Sequence, residues 1–224
     1  MRDKDLLLGI DIGTTGTKCS VYDFRGIRVA SAYREYPMIH PRPGWTEQDP
    51  SRWWDTVCCN LQTIFKSQNI DKNRIAAVGT SSTNAVVLVD RQGQPVCNAI
   101  SLHDQRSGHQ VEWLKENIGE ERIRGVAANR IANGSFCLPA LRWLVENRPD
   151  LIKRAHKLMV PCGYVIQKLT GEFTMNRPRM SLTLMGNIRT GQWDTEIAKQ
   201  SGLPPRLLPR PCGSTEIVGT VTEW

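Results

Sequence analysis

The sequence predicts an α/β fold, because strand patterns fill its opening, helical patterns fill its later part, and the two alternate in between. Residues 6–11 are apolar and strand-like, a Gly-Thr-Thr-Gly turn follows, and residues 17–23 have the composition of a second strand. A Phe-Arg-Gly turn then leads into a third strand that reaches about Tyr36. The chain is therefore predicted to open with a β-meander.

The middle of the chain alternates between loop, helix and strand patterns. Residues 37–50 are rich in proline and predict an irregular loop, after which Pro50 opens a helix that runs to about Lys66. β-Branched runs at 75–79 and 86–90 predict two strands. This succession of elements is typical of an α/β protein.

Helical patterns take over from about Asp104, where apolar residues begin to recur at helical spacing. The predicted helices lie around residues 111–118, 138–145 and 164–169. Residues 218–224 resemble a strand that would continue into a second domain. No clear linker divides the chain before that point, so one large domain is expected.

Composition and charge exclude several classes of protein. The chain has 224 residues, of which 40% are hydrophobic and 23% charged, which is ordinary for a globular protein. Its net charge of +7 is spread along the chain, so no nucleic-acid partner is expected. No apolar run is long enough to span a bilayer, and the N-terminus lacks the pattern of a signal peptide, so no membrane partner is expected. The seven cysteines show neither zinc spacing nor a disulfide framework, which favours reduced thiols in a cytoplasmic protein.

The first turn carries residue types suited to phosphate. With its flanking strands it has the sequence GIDIGTTGTK, which resembles the first phosphate-binding hairpin of the actin, hexokinase and heat-shock ATPase superfamily. Gly13 lets the backbone approach phosphate oxygens. The hydroxyls that can donate to those oxygens belong to Thr14, Thr15 and Thr17. Asp11 is suited to hold Mg²⁺ through water, because hard cations prefer oxygen ligands, although it could instead cap an ordinary Gly-Thr hairpin.

Later motifs extend the resemblance over nearly the whole chain. The segment PGWTEQDP, followed by Trp53 and Trp54, resembles the G-W-x-E-Q-D-P loop of FGGY carbohydrate kinases. Asp104 and Arg106 resemble the D-x-R motif of that family, and the segments LTGE, GLP and GTV follow in the family's order. The chain is identified as a member of the FGGY family, and the G-W-x-E-Q-D-P loop argues against another ATPase of the same superfamily.

The resemblance implies both a fold and an activity. FGGY kinases have two α/β domains, each with a ribonuclease-H-like (actin-like ATPase) mixed sheet flanked by helices, and they transfer a phosphoryl group from MgATP to a hydroxyl of a sugar or polyol. The sugar lies mostly against the N-terminal domain and ATP mostly against the C-terminal one. Residues 1–224 are therefore expected to be the N-terminal, sugar-binding domain, without the ATP-binding domain and inactive alone. The apolar face left by the missing half favours a homo-oligomer.

The match to the family fails at the catalytic base. In FGGY kinases an Asp lies at a fixed distance before the tryptophan matched by Trp193, and the equivalent residue here is Asn176. An amide cannot take a proton from the attacking hydroxyl at neutral pH. Two interpretations follow: a divergent kinase with another base, or a non-catalytic sugar-binding module such as a decayed pseudokinase.

The expected sugar-binding residues also depart from the family pattern. Thr83 and Asn84 occupy the loop where family members carry a Gln followed by a polar pair, and Asn84 can still hydrogen bond to a hydroxyl. Asp104 is a further candidate, with a structural ion pair to Arg106 as its alternative. Trp45 is the best candidate for stacking on a sugar face, although large aromatic residues more often pack in cores.

Overall fold

The computed structural model describes residues 4–222 of the chain. The strands are β1 (Leu6–Ile12), β2 (Gly16–Asp23), β3 (Arg28–Glu35), β4 (Glu47–Gln48), β5 (Ile75–Ser82), β6 (Ala85–Val89), β7 (Ala99–Ser101), β8 (Lys157–Met159), β9 (Thr174–Asn176) and β10 (Arg210–Cys212). The α-helices are α1 (Pro50–Gln62), α2 (Gly108–Asn117), α3 (Glu120–Ala127), α4 (Cys137–Asn147), α5 (Pro149–Arg154), α6 (Pro161–Thr170), α7 (Arg177–Leu182) and α8 (Thr195–Gln200). A π-helical turn, Thr63–Ser67, extends α1.

The chain folds into two compact units. The first unit contains the chain up to Met38 together with Pro50–Thr83. The second unit contains Ile39–Asp49 together with the chain from Asn84 onward. The proline-rich loop therefore belongs to the second unit, whereas the helix that follows it belongs to the first.

The first unit is a four-stranded mixed sheet. Its strand order is β3-β2-β1-β5, in which β1 runs antiparallel to β2 and parallel to β5. One face of β1 is buried, and its apolar side chains are Leu6, Leu8, Ile10 and Ile12. The side-chain period of two places Leu7 and Asp11 on the opposite face, where both are exposed.

Helix α1 lies against β2 and β3 of this sheet. Its residues Trp53, Val57 and Leu61 are buried and recur one helical turn apart, which is the stripe expected for a helix that packs on a sheet. Pro50 is the first residue of the helix, as the sequence predicts, because a proline at this position has no N–H to leave unsatisfied. The core of the first unit therefore lies between α1 and the sheet.

The second unit contains an antiparallel sheet of order β4-β7-β6-β8 and a separate parallel pair, β9 and β10. Every residue of β6 is buried, and helices α4 and α6 pack against this strand. Its unbroken apolar run, AVVLV, is typical of a strand that is buried on both faces. The core of the second unit is therefore built around β6.

These elements confirm the α/β class predicted from the sequence. The two β-branched runs form β5 and β6, which belong to different sheets. A short strand, β4, forms inside the predicted loop because it pairs with β7. The strand predicted at 218–224 does not form at 218–222, and Glu223 and Trp224 lie outside the described residues. None of the helices within residues 4–222 is long and apolar enough to cross a membrane.

The seven cysteines are free thiols that differ in exposure. Cys19 on β2 and Cys137 on α4 are buried, and burial raises the pKa of each thiol to about 12. Cys59 on α1 is exposed. Because the thiolate is the nucleophile in alkylation, exposure and pKa together decide how fast each cysteine reacts.

We expect a pulse of iodoacetamide at pH 8 to modify Cys59 in the native protein and to leave Cys19 and Cys137 unmodified. A thiol pKa of about 12 leaves a thiolate fraction of about 10⁻⁴ at this pH, since each pKa unit is a factor of ten. Mass spectrometry of the digested protein measures the result, with a pulse in denaturant as the control. Native labelling of Cys19 at the rate of Cys59 would contradict the buried positions.

Candidate functional site

The turn between β1 and β2, residues 13–16, is called the hairpin turn below. The strands pair in a register that brings Ile12 opposite Thr17, and the N–H of Gly13 donates to the carbonyl oxygen of Gly16 at 2.9 Å. A Cβ atom added at Gly16 would lie 2.5 Å from the carbonyl oxygen of Arg34 and 2.5 Å from the hydroxyl of Tyr33. Only glycine fits this position, because any side chain would collide with main-chain atoms.

Asp11 lies beside the hairpin turn at the end of β1, and its side chain is exposed. It is paired across the sheet with Lys18 on β2 and with Ser81 on β5. The Ser81 hydroxyl donates a hydrogen bond to Oδ1 of Asp11. The carboxylate is therefore oriented by a neighbouring strand while it faces solvent. Ser81 was not a sequence candidate, because its contact depends on the strand register.

Four of the predicted site residues gather at this end of the first unit with Asp11, and Gly13 of the hairpin turn is one of them. Thr14 and Thr15 lie in the hairpin turn, and the hydroxyl of Thr14 lies 3.5 Å from that of Thr83. Thr83 is held in place by its N–H, which donates to the carbonyl oxygen of Ile12 at 2.8 Å. Thr83 was predicted to face the sugar, and the structure places it next to the expected phosphate residues.

Thr17 is not placed with these residues. Its side chain is 0% exposed, and its hydroxyl oxygen lies 3.0 Å from that of Thr56 on α1. The side-chain period of two explains the difference, since Thr17 shares the buried face of β2 with Cys19 and Val21. The prediction that the Thr17 hydroxyl donates to phosphate is therefore corrected: the hydroxyl is directed into the core.

Asn84 is buried at the start of β6 in the second unit, with 8% of its surface exposed. Its Nδ2 donates to the carbonyl oxygen of Ser135 at 2.9 Å, and its Oδ1 lies 3.8 Å from Sγ of Cys137. The amide group is thus oriented by the segment that leads into α4. A thiol is a weak donor, so Oδ1 keeps most of its capacity to accept a hydrogen bond.

Two predicted site residues, Asp104 and Trp45, lie in a group that we call the arginine cluster. Its other members are Arg106, Glu47 and Trp143. Nε and Nη2 of Arg106 donate to the two carboxylate oxygens of Asp104 at 2.9 and 2.8 Å, and Nη2 also contacts Glu47 at 2.8 Å. The N–H of Thr46 donates to Asp104 at 2.6 Å. The side chains of Arg106 and Asp104 are 4% and 1% exposed.

Trp45 packs inside the arginine cluster. The guanidinium carbon of Arg106 lies 3.8 Å from the centroid of the Trp45 ring, and that of Arg42 lies 5.0 Å from it. Trp143 meets Trp45 edge to face, with ring centroids 5.2 Å apart. The ring is therefore already engaged by cation–π and aromatic contacts, which supports the packing alternative over sugar stacking. The contacts of Asp104 likewise match the structural ion pair.

Asn176 ends β9 and forms the N-cap of α7. Its Oδ1 accepts a hydrogen bond from the N–H of Arg179 at 3.1 Å. Asparagine is among the residues most favoured at an N-cap, because its side chain satisfies a helical N–H that has no partner in the helix. The structure thus gives Asn176 a local role that is independent of catalysis.

Comparisons with known proteins agree with the resemblance. Residues 6–224 match the FGGY family of carbohydrate kinases, N-terminal domain. The chain is 30% identical to a glycerol kinase of Thermococcus gammatolerans over 95% of this chain and 44% of that protein. It is also 30% identical to a xylulose kinase of Staphylococcus xylosus over 97% of this chain and 44% of that protein. The chain therefore spans about half the length of the relatives that it matches.

Solved structures are also similar. The gluconate kinase of Lactobacillus acidophilus superposes with a TM-score of 0.88 at 25% identity, over 97% of this chain and 44% of that one. The Plasmodium falciparum glycerol kinase with ADP gives a TM-score of 0.87 at 24% identity, over 99% of this chain and 46% of that one. These likenesses, with the mixed sheet described above, confirm the predicted ribonuclease-H-like, actin-like ATPase fold.

We expect Arg106→Met to lower the free energy of unfolding by about 3–5 kcal/mol, because it leaves the buried carboxylate of Asp104 without its partner. Arg148 and Asp150 form an ion pair of the same geometry whose side chains are 50% and 55% exposed. Arg148→Met is therefore the matched control, with an expected cost of about 0–1 kcal/mol. Urea denaturation measures both, and equal costs would contradict the role assigned to burial.

We expect Asn176→Ala to cost about 1 kcal/mol of stability and Asn176→Asp only a few tenths, since aspartate caps helices as well as asparagine does. Urea denaturation of the two variants measures the difference. A cost for Asn176→Asp as large as that for Asn176→Ala would show that the amide group, rather than its oxygen, is needed at this position.

Proposed function

The chain belongs to the FGGY family of carbohydrate kinases, and we propose that it is the N-terminal part of an enzyme that transfers the γ-phosphoryl group of MgATP to a hydroxyl of a sugar or polyol. The observation that carries the proposal is the exposed carboxylate of Asp11 beside the hairpin turn. The family match over residues 6–224 supports the reaction class. The names of the relatives, glycerol kinase and xylulose kinase, support a polyol or sugar as the acceptor.

The hairpin turn is the proposed phosphate-binding element. Gly13 and Gly16 allow a sharp turn that brings the main chain close to its surface. Thr14 and Thr15 add hydroxyl groups at the same place. Phosphoryl transfer depends mainly on positioning the phosphates and on neutralising their charge. The N–H and hydroxyl groups of such a turn can donate hydrogen bonds to phosphate oxygens and so contribute to both.

Asp11 is the proposed anchor for Mg²⁺. Magnesium in phosphoryl-transfer enzymes keeps several waters and is held by one or two carboxylates together with the phosphates of the substrate. A single exposed carboxylate, oriented by the Ser81 hydroxyl, fits that requirement. When bound, the ion would neutralise charge on the phosphates. Asp11 would hold the ion through its water shell, which is how the residue was assigned from the sequence.

The acceptor is proposed to contact Thr83 and Asn84, which are neighbours in the chain. The support is the acceptor capacity of Asn84 Oδ1 and the place of Thr83 beside the hairpin turn, where its N–H donates to the carbonyl oxygen of Ile12 at 2.8 Å. Asp104 and Trp45 are proposed to hold the loop around Thr46 in place through the arginine cluster. They would therefore position this loop and would not touch the sugar themselves.

We propose that Asn176 does not act as the catalytic base. The base is then a carboxylate that is not among the candidate residues named above. An amide cannot take the proton, and its oxygen is already used by α7. The two carboxylates of the arginine cluster are held by Arg106. The alternative is a non-catalytic sugar-binding module. A rise in turnover of the full-length protein on Asn176→Asp would instead support the loss of the family's base at position 176.

We propose that residues 1–224 form the sugar-binding domain and that the adenosine-binding part of the enzyme lies outside them. The support is the length of the relatives, of which the chain covers 44%. The isolated chain is then expected to release no ADP when it is mixed with MgATP and a panel of sugars. A cytoplasmic location and self-association remain predictions of the sequence.

We expect Asp11→Asn in the full-length protein to lower kcat/KM for MgATP by about 10²-fold or more, because a group that neutralises transition-state charge is lost. A coupled assay of ADP release with glycerol, xylulose and gluconate measures the activity. Asp23→Asn is the matched control, since Asp23 ends β2 and uses a side-chain oxygen to cap its turn, which an amide oxygen can also do. Wild-type protein without ATP-dependent transfer to any acceptor, or an unchanged Asp11→Asn variant, would contradict the proposal.

A further inference from the structure

A line of four polar side chains runs beneath the hairpin turn inside the first unit. We call it the polar seam, and its members are Thr17 on β2, Tyr36 after β3, and Thr56 and Asn60 on α1. Three of them are buried: Thr17 and Asn60 are 0% exposed and Tyr36 is 7% exposed.

Tyr36 contacts two main-chain carbonyl groups of the hairpin turn. Its hydroxyl donates to the carbonyl oxygen of Gly13 at 2.5 Å, and its own N–H donates to the carbonyl oxygen of Thr15 at 3.1 Å. Burial raises the pKa of the Tyr36 hydroxyl to about 12, so the group stays protonated and remains a donor at neutral pH. Tyr36 alone thus fixes the carbonyl groups of Gly13 and Thr15 in the hairpin turn.

Helix α1 contacts Thr17, the residue that follows the hairpin turn. Nδ2 of Asn60 donates to the carbonyl oxygen of Thr17 at 2.9 Å. The hydroxyl of Thr56 lies 3.0 Å from the hydroxyl of Thr17 and 2.9 Å from the carbonyl oxygen of Trp53. The strand that leaves the hairpin turn is therefore tied to the helix through both its main chain and its side chain.

The polar seam is an unusual choice for the interface between a sheet and a helix. Apolar side chains would fill the same space without any need for partners, whereas Oδ1 of Asn60 is buried and lacks a hydrogen-bond partner in the described part of the chain. A buried polar atom without a partner lowers stability. Hydrogen bonds, unlike apolar contacts, have a defined direction, and they fix where each main-chain atom of the turn lies.

We propose that the polar seam positions the hairpin turn for the phosphates of ATP, with Tyr36, Thr17, Thr56 and Asn60 acting as positioning residues that do not touch the nucleotide. The inference rests on the proposed function, because it assigns these residues to the phosphate-binding element of that reaction. The loss of one hydrogen bond of the polar seam should therefore raise the KM for MgATP and leave the KM for the acceptor unchanged.

The test is Tyr36→Phe in the full-length protein, which removes one hydroxyl and keeps the ring. We expect the KM for MgATP to rise about tenfold, as expected for the loss of one hydrogen bond, and the KM for the acceptor to stay within about twofold. Tyr22→Phe is the matched control, since Tyr22 lies on β2 far from the hairpin turn, opposite Leu7. Equal rises in both KM values, or no change in either, would overturn the proposal.

A second variant and a second measurement separate positioning from general loss of stability. Thr56 lies outside the hairpin turn, and Thr56→Val removes its hydroxyl while the side chain keeps a similar shape. We expect this variant to raise the KM for MgATP in the same way. Hydrogen exchange at the amides of residues 13–16 should quicken at least threefold in both variants and stay unchanged in Tyr22→Phe. If the wild-type enzyme transfers no phosphate, the proposed function fails, and the exchange rates still decide whether the polar seam holds the turn.

Discussion

The sharp turn between β1 and β2 is the constraint on which the first unit depends. Gly16 lies so close to the main chain of β3 that a Cβ atom has no room, and β3 therefore approaches the turn from one side. Helix α1 reaches the other side through Thr17. The turn and the residue after it are therefore held by two elements that follow later in the chain, β3 and α1, and Asp11 lies at the edge of this turn.

Both units use the same physical device at their candidate residues. In the second unit, the arginine cluster buries a charged group within carboxylates and tryptophan rings, and it ties the loop that contains Thr46 to Asp104. A buried ion pair contributes little net stability, because desolvation offsets the attraction between the charges. Its geometry is nevertheless well defined. In each unit, directional polar contacts therefore fix a segment that apolar packing alone would leave free to shift.

The sequence predicts the elements better than it predicts the side-chain roles. Strand-like runs separated by the glycine turn were sufficient to place β1 and β2. The side-chain period of two within β2 would have shown in addition that Thr17 faces the core with Cys19. The residues around Trp45 in the sequence do not predict that Arg106 will stack on its ring. Likewise, Asp11 and Ser81 meet only because β1 and β5 pair in one particular register. Such contacts depend on tertiary pairing, which a local pattern does not contain.

The residues that depart from the family pattern are those expected at the acceptor and at the base, whereas the residues expected at the phosphate are kept. This division has a chemical reason, since kinases transfer the same phosphoryl group, whereas the relatives of this chain are named for different acceptors, glycerol and xylulose. A sharp turn packed against β3 is restricted to a few residue types, of which glycine at position 16 is the clearest case. A residue such as Asn84 has no such restriction. Its amide oxygen has only a thiol within reach in the described chain, so this oxygen keeps most of its capacity to accept a further hydrogen bond.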